Sequence, residues 1–421
     1  MAKKKKRTNS LNRLNKTNRK KTRIIVISAI ALLVLIAVVT VILVLSGGKE
    51  IPASETGGVT TIETTTETTT AAPETEPPIE YPEPSFAHGT AFSFVRRDMG
   101  KKPVFTDPLT GLEADQDLSS FRPVAIMINN IEQAMPQVGI SNGDIVYECL
   151  AEGGITRLLM VTRNYENLGT VGSIRSSREY YIDFAKNHDA IYVHAGGSEE
   201  AYAQMKSRQI EHLDGVNADP ISGKNISDTV FYRDPERLKT MSKEHTMVTT
   251  GARMADGILE MGYSTVLRED FTEPVVPVDW GWSVSLNGED ATHVKIPYNS
   301  KRISEYEYDE MRGSYLRYQY DHQRHIDGTT NAQLSFENIV ILEMSHRDTG
   351  DDKGHLVIET VGEGDGWFIT GGKRIPIRWA KPSQDLEMTL SDMEGNPIIV
   401  NQGKTVINIV SNTINSSVTF N

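Results

Sequence analysis

A run of twenty-two consecutive uncharged residues, 24–45, constrains this chain more than any other feature. At about 1.5 Å per residue, a helix of this length reaches about 33 Å, which is enough to cross the roughly 30 Å hydrocarbon layer of a bilayer. Because backbone polar groups in lipid must be paired within the segment, the run is predicted to form one transmembrane helix. A cleaved signal peptide has an apolar stretch of only about 7–15 residues. The length therefore favours a retained signal anchor over a signal peptide or a buried core helix.

Charges beside the apolar run predict its orientation. Residues 1–23 carry eleven Lys or Arg and no Asp or Glu, and such basic flanks stay on the cytoplasmic side of a membrane. We therefore predict a single-pass protein of the cell membrane, with a cytoplasmic N-terminus and an extracytoplasmic body. The basic tail is expected to contact anionic lipid, which explains its charge more simply than nucleic acid does.

Residues 46–85 have the composition of a disordered stalk. The segment contains ten threonines, eight glutamates and a cluster of prolines, so it can bury too little apolar surface to offset the entropy of ordering. The body that follows, 86–421, has 32 basic and 48 acidic residues. Such an acidic body argues against a nucleic-acid partner. The single cysteine, Cys149, excludes a disulfide framework and a multi-thiolate zinc site.

Hydrophobic patterns divide the body into two regions and predict an α/β (α+β) protein. In the first, 86–270, short apolar runs alternate with helical patterns, which is typical of an N-terminal α/β layered sandwich domain. The expected strands are 123–129, 144–150, 155–161 and 190–194, and the expected helices are 177–187, 198–208, 234–243 and 249–261. The second region, 275–421, has short apolar runs separated by glycine-containing turns. It is expected to be a smaller, β-rich domain with mostly antiparallel strands.

The sequence 172–178, Gly-Ser-Ile-Arg-Ser-Ser-Arg, precedes the first helical pattern and offers a candidate anion site. Ser176 and Ser177 are placed to cap that helix, whose first amides carry a partial positive charge. Arg175 and Arg178 flank the same turn, and amides, hydroxyls and guanidinium groups together suit phosphate or carboxylate. The alternative is an ordinary serine cap, with the arginines paired to nearby acidic residues.

A second strand-to-helix junction runs through His194, Gly196, Gly197 and Ser198. The two glycines allow a close backbone approach, and Ser198 is a candidate cap. Ligands of α/β sheets bind outside the carboxyl ends of the strands. If the two strands are neighbours, both junctions converge on one ligand-binding site. For His194 alone, a buried histidine with satisfied hydrogen bonds is the competing interpretation.

Other chemistry-bearing residues give weaker signals. Glu148, Glu152 and Arg157 form a third candidate group, for acid/base work or a hard cation, although Glu148 and Arg157 are expected to pair across adjacent strands. The spacing of His322 and His325 is compatible with a metal site, but a solvated hairpin end is the preferred interpretation. Four tryptophans suit a sugar surface or a core, and the core is favoured. No nucleotide-binding or hydrolase motif is present, and neither a metal nor a cofactor is expected.

Several of these stretches resemble the YerB-like family of bacterial envelope proteins. The resemblance rests on 122–130, 144–148, 152–157, 172–178 and 193–198, with a C-terminal counterpart in 336–340, 362–367 and the strand containing Trp379. It implies an α/β first domain, a smaller β-rich domain and no established reaction. Many members look like lipoproteins. Because this chain has no cysteine near its apolar run, a transmembrane anchor replaces lipid attachment.

These features predict a membrane-anchored envelope module of unknown biochemical activity, whose body binds an anionic cell-wall component. Two alternatives stay open. The first is an enzyme that modifies cell-wall polymers, with Ser176 or Ser177 as nucleophile or with Glu148 and Glu152 as an acid/base pair. The second is a scaffold that docks an envelope protein partner in a membrane complex.

Overall fold

A computed structural model of the chain describes residues 89–97, 103–271, 274–412 and 418–421. The predicted cytoplasmic tail, transmembrane helix and stalk lie outside these ranges. Within them, no helix is both long enough and apolar enough to cross a bilayer.

Strands dominate the described residues, which contain 24 strands and five α-helices. In chain order the strands are β1 (Phe92–Arg96), β2 (Val124–Asn130), β3 (Ile145–Leu150), β4 (Thr156–Thr162), β5 (Thr170–Gly172), β6 (Ile191–His194), β7 (His212–Asp214), β8 (Tyr232–Arg233), β9 (Met247–Thr250), β10 (Trp282–Leu286), β11 (Glu289–Asp290), β12 (His293–Asn299), β13 (Arg302–Asp309), β14 (Ser314–Gln319), β15 (Gln323–Arg324), β16 (Ser335–Phe336), β17 (Asn338–Met344), β18 (His346–Asp348), β19 (Leu356–Ile358), β20 (Gly362–Thr370), β21 (Lys373–Lys381), β22 (Thr389–Ser391), β23 (Thr405–Ser411) and β24 (Thr419–Phe420). The helices are α1 (Glu179–Lys186), α2 (Glu199–Ser207), α3 (Ser227–Val230), α4 (Arg237–Thr240) and α5 (Gly251–Met261).

The main sheet has eleven strands and draws them from both predicted regions. Their order is β11-β21-β20-β17-β23-β3-β4-β2-β6-β7, with β22 beside β21. Strand β4 is antiparallel to both β2 and β3, whereas β6 and β7 run parallel to β2, and β23 and β17 run parallel to β3. The carboxyl ends of these six similarly directed strands therefore meet at one edge of the sheet.

The central strands are apolar throughout because the main sheet is covered on both faces. In β2, Val124, Ile126 and Ile128 belong to one buried cluster, whereas Ala125 and Met127 belong to the other. A continuous apolar run of this kind is typical of strands buried on both sides.

Helices and a second sheet supply the two covering layers. Tyr181 and Phe184 of α1 pack on the face that contains Ala125. On the opposite face lie Met254 of α5 and a six-stranded sheet, β15-β14-β13-β12-β24 with β16 beside β14. That sheet reaches the core through buried side chains such as Tyr306.

The structure confirms the predicted fold class, a mixed α/β region followed by a β-rich region. The expectation of mostly antiparallel pairing in the second region was confirmed. The exceptions are β17 and β23, which run parallel to each other and to β3 and extend the main sheet. Their apolar runs face two covered sides, as parallel strands require. The residue boundaries of the two domains stay a prediction, since one sheet crosses both regions.

Candidate functional site

The two predicted strand-to-helix junctions lie side by side at the carboxyl edge of the main sheet. The Ala195 amide donates to the Arg175 carbonyl at 3.0 Å, and the Ser177 amide donates to the Gly196 carbonyl at 2.8 Å. Gly197 continues this contact as a short parallel bridge with Ser177. The amides of Ala195 and Ser177 are therefore used to join the two junctions and do not face a ligand.

Glu152 binds two of the arginines at this edge. Its carboxylate accepts from Arg178 at 3.0 Å from Nε and 2.6 Å from Nη2, and it also pairs with Nη2 of Arg157. Burial acts to raise the pKa of Glu152, but the two guanidinium charges outweigh it and the pKa lies below its usual value. Glu152 is thus an ionised bridge between Arg157 and Arg178.

Arg175 differs from these two arginines. Within the described part of the chain, no carboxylate lies within 4.0 Å of its guanidinium group, and its Nε is buried without a hydrogen-bond partner. Burial lowers the pKa of His245, and the charge of Arg175 acts in the same direction. The Arg175 guanidinium is therefore within electrostatic range of that imidazole and has no carboxylate counter-ion among the described residues.

Neither serine of the first junction caps α1, so that prediction was wrong. The helix begins after Arg178, whose backbone is extended and whose side chain makes no cap hydrogen bond. Ser176 donates to the Ala195 carbonyl at 3.1 Å, and Ser177 accepts from the Tyr192 hydroxyl at 3.0 Å. Both hydroxyls lie too early in the chain to reach the first turn, and they hold the neighbouring junction and strand instead.

His194 is a fully buried histidine with satisfied hydrogen bonds, as the competing interpretation expected. Its Nδ1 lies 2.9 Å from the Gly196 carbonyl, so this nitrogen carries the proton, and its Nε2 lies 2.9 Å from Nδ1 of His212. Burial lowers its pKa below the usual value. Nearby, Asp214 accepts from the amide of Gly196 at 2.8 Å, and Gly196 adopts a positive φ of 79°. These contacts fix the shape of the junction.

Ser198 caps α2, as predicted, because its hydroxyl accepts from the Ala201 amide at 3.2 Å. We expect Ser198→Ala to lower the free energy of unfolding by about 1 kcal/mol, the usual cost of removing such a cap. Urea denaturation measures this. Ser176→Ala is the matched control, since that hydroxyl serves no helix amide, and it is expected to cost less. Equal losses for the two variants would contradict a capping role.

Glu148 does not pair with Arg157, and the sequence-based expectation was wrong. Glu148 stands opposite Leu158 in the β3–β4 ladder, so these two side chains lie on the same face of the sheet. Arg157 is the neighbour of Leu158 on β4, and its side chain therefore lies on the other face. Its carboxylate instead accepts from Arg317 at 2.8 Å and from Ser304 at 2.7 Å. Arg317 was missed because it lies 169 positions away, and no local sequence signal marks such a pairing.

The histidines near the second hairpin also differ from expectation. His322 is exposed and stacks on Tyr318 with 4.3 Å between ring centroids. His325 is 2 % exposed, so it does not belong to a solvated hairpin end, and its Nε2 lies 2.5 Å from the Gln137 side-chain oxygen. In the residues that the structure describes, no group of three or more His, Cys, Asp or Glu side chains is arranged to hold a metal ion. Of the four tryptophans, Trp379 lies in the core.

Comparisons with known proteins settle the family. Residues 109–264 match the N-terminal domain and residues 294–407 the C-terminal domain of the family described as "Protein of unknown function (DUF3048)". "Putative lipoprotein YerB" of Bacillus subtilis (strain 168) is 30% identical over 306 residues, which are 72% of this chain and 85% of that protein. The chain belongs to the DUF3048 family. The resemblance to YerB seen in the sequence is thereby confirmed.

A solved structure agrees with this assignment to DUF3048. The crystal structure of YerB protein from Bacillus subtilis is 29% identical, with a TM-score of 0.62. The match covers 75% of this chain and 99% of that chain. All eleven candidate site residues lie in the segment that matches the DUF3048 N-terminal domain. Because the family description names no activity, the function has to be argued from the site itself.

Proposed function

We propose that this DUF3048 protein is an envelope protein, held at the cell membrane by residues 24–45, whose extracytoplasmic body binds an anionic cell-wall component beside Arg175. The word lipoprotein in the name of its Bacillus relative supports an envelope location. The single cysteine of this chain, Cys149, lies far from the apolar run. That position supports a transmembrane anchor in place of a lipid.

The missing counter-ion of Arg175 is the observation that carries the ligand proposal. An arginine that is partly removed from water is costly unless an anion and hydrogen-bond acceptors accompany it. Arg157 and Arg178 obtain both from Glu152, whereas Arg175 has no carboxylate partner among the described residues. A phosphate or carboxylate of a ligand would supply the acceptor. Arg175 lies at the carboxyl edge of the main sheet, which is the edge where α/β sheets bind ligands.

Arg178, Glu152 and Arg157 have a different role in this proposal from the one that the sequence suggested. Their charges are already paired with one another. They are therefore expected to support the site rigidly and not to make the main contact with the ligand. Ser176 remains available beside Arg175, since its half-buried hydroxyl donates only to a carbonyl. The proposed contact set is therefore centred on Arg175 and Ser176.

The alternative of an enzyme that modifies cell-wall polymers gains no support from the contacts of its candidate residues. Ser176 donates to a carbonyl and Ser177 contacts a tyrosine hydroxyl, so neither contact is with a base. Glu148 and Glu152 each pair with arginine, so neither carboxylate is an unpaired candidate for a general acid or base. The scaffold alternative stays a prediction.

Isothermal titration of the full chain in detergent tests the anion proposal with two matched probe pairs. Comparing the affinities of glucose 6-phosphate and glucose tests for recognition of a phosphate group. Comparing those of N-acetylmuramate and N-acetylglucosamine tests for recognition of a carboxylate group. We expect at least one anionic probe to bind more tightly than its neutral partner. Arg175→Ala is expected to weaken that binding by about tenfold or more, because it removes charge-assisted hydrogen bonds.

Arg312→Ala is the matched control, because Arg312 is exposed and pairs locally with Asp309. It is expected to leave the affinity unchanged. Arg175→Lys keeps the charge and should lose less than Arg175→Ala. Equal binding of anionic and neutral probes, or wild-type affinity in Arg175→Ala, would remove the proposal.

A further inference from the structure

Two cavities lie at the opposite edge of the main sheet, where β3, β17 and β23 begin. The first has a volume of about 310 Å³ and is lined by residues of the loop 107–118, by Asp144 just before β3 and by Thr162 at the end of β4. The second has a volume of about 270 Å³ and is lined by residues 140–143 and 330–336. Each volume is near the lower end of the range for small-molecule sites. Together they offer room for an extended ligand.

Lys404 lines both cavities and is the one residue that the two linings share. Its ammonium group donates to the Ser141 carbonyl. In the part of the chain that the structure describes, no carboxylate lies within 4.0 Å of Nζ. Because an ammonium group has three donors, Lys404 keeps two of them for a ligand that passes from one cavity to the other.

Amides and hydroxyls supply most of the remaining polar lining. The first cavity includes Thr110, Asn142, Thr162 and Asn164, and the second includes Thr330 and Ser335. Asn142 donates its side-chain N–H to the Gly139 carbonyl at 3.2 Å, and its side-chain oxygen has no hydrogen bond to any described residue. Leu112, Leu168 and Leu334 add apolar surface to the lining. A lining that combines hydrogen-bonding groups with apolar surface suits a sugar, which carries both hydroxyl groups and C–H groups.

Charge separates these cavities from the edge that contains Arg175. Four carboxyl groups line the first cavity, those of Asp107, Glu113, Asp115 and Asp144, against one lysine. Such a lining repels an anion. Burial raises the pKa of Asp144 to about 7, and the charge of Asp107 adds to the effect. Near neutral pH this carboxyl group therefore both donates and accepts hydrogen bonds, as a hydroxyl-rich neutral ligand requires.

We propose that these two cavities form one groove that binds a neutral oligosaccharide, with Lys404 at its centre. The groove is built by both matched family segments, since residues 140–144 belong to the first and residues 330–336 and Lys404 to the second. Sites at such joints are common for ligands. This site is separate from the anion site proposed at Arg175 and does not depend on it.

The groove is tested most directly by comparing the affinities of short and long oligosaccharide probes. The full chain in detergent is titrated with N-acetylglucosamine, its dimer and its tetramer, and with cellotetraose as a second neutral chain. We expect at least one tetramer to bind at least about tenfold more tightly than the corresponding monomer, because only the longer chain reaches both cavities. Lys404→Ala is expected to weaken tetramer binding by about tenfold.

Lys353→Ala is the matched control, since Lys353 is exposed and lines neither cavity. Asn142→Ala provides a second, exposed test position in case Lys404→Ala is poorly folded, and it should also weaken tetramer binding. Arg175→Ala should leave tetramer binding unchanged, so failure of one site is distinguishable from failure of the other. The proposal is overturned if neither tetramer binds, if monomer and tetramer bind equally, or if both test variants bind like wild type.

Discussion

Replacing Arg317 by alanine is expected to lower the free energy of unfolding by about 3–5 kcal/mol, the usual cost of breaking a buried ion pair from one side. The Arg317 side chain is fully buried, and its Nη2 lies 2.8 Å from the Glu148 carboxylate. Its Nη1 donates to the Tyr306 hydroxyl at 3.0 Å. The substitution leaves the buried Glu148 carboxyl group without its arginine partner, and its remaining hydrogen-bond donors, such as Ser304, are neutral.

Urea denaturation of the full chain in detergent measures this loss. Arg312→Ala is the matched control, because it removes an exposed arginine from a local ion pair and is expected to change stability by less than about 1 kcal/mol. The double variant Glu148→Leu/Arg317→Met removes both charges and keeps apolar volume. It should be more stable than Arg317→Ala alone. A single variant as stable as the control would contradict the buried pair.

The same pair explains how the two matched family segments are joined. Glu148 lies on β3 of the main sheet, whereas Arg317 lies on β14 of the six-stranded sheet. Tyr306 of β13 extends the network, since its hydroxyl donates to Asn408 of β23 at 3.0 Å. Polar contacts therefore connect the layers at a defined register, in addition to apolar packing. Buried polar networks of this kind are specific because every unsatisfied member is costly.

Much of the fold was predictable because its signals are local. The apolar run at 123–129 predicted β2 within one residue, and the pattern at 249–261 predicted α5 within two residues at its start. Ser198 was identified as a cap by its place before a helical pattern. Each of these signals depends on neighbours in the chain. The parallel position of β23 beside β3 was not predictable, since pairing between distant strands leaves no mark in either strand.

The candidate site was predictable only in outline. The sequence predicted that the two junctions would converge if their strands were neighbours. Strands β5 and β6 lie in different sheets, but the backbones of the two junctions pair directly. The sequence could not show which arginine Glu152 would bind, because carboxylate and guanidinium partners are chosen by geometry. Glu152 takes Arg157 and Arg178 and leaves Arg175 without a carboxylate among the described residues. That choice restricts the proposed ligand contact to Arg175, one of the two arginines that the sequence had offered.

Lowering the pH from 7 to 5 is expected to decrease the free energy of unfolding, because several histidines are buried in the neutral form. Burial lowers the pKa of His188 to about 3, and it also lowers the pKa values of His194 and His325. In the unfolded chain a histidine has a pKa of about 6.5. Below that pH the unfolded state binds protons that the folded state does not bind. The contribution of these neutral histidines to the free energy of unfolding is therefore fully present above about pH 6.5 and declines below it.

Asp144 opposes this trend, and a substitution of His188 tests whether the buried histidines cause it. The folded pKa of Asp144, about 7, lies above its usual value, so its contribution grows as the pH falls from 7 towards 4. Burial also raises the pKa values of Asp107, Glu179, Glu337 and Glu343. Six histidines of the described residues have pKa values below the usual one, and the net change is expected to be a loss. His188→Gln removes one buried imidazole while keeping a group that can accept from the Tyr147 hydroxyl, which lies 2.8 Å from Nε2 of His188. Its loss between pH 7 and pH 5, measured by urea denaturation, is expected to be smaller than that of the wild type by about 2 kcal/mol. Asp144→Asn is expected to lose more stability than the wild type over the same interval, because the opposing group is gone. Equal pH dependence in wild type and His188→Gln would show that His188 is not held neutral in the folded protein.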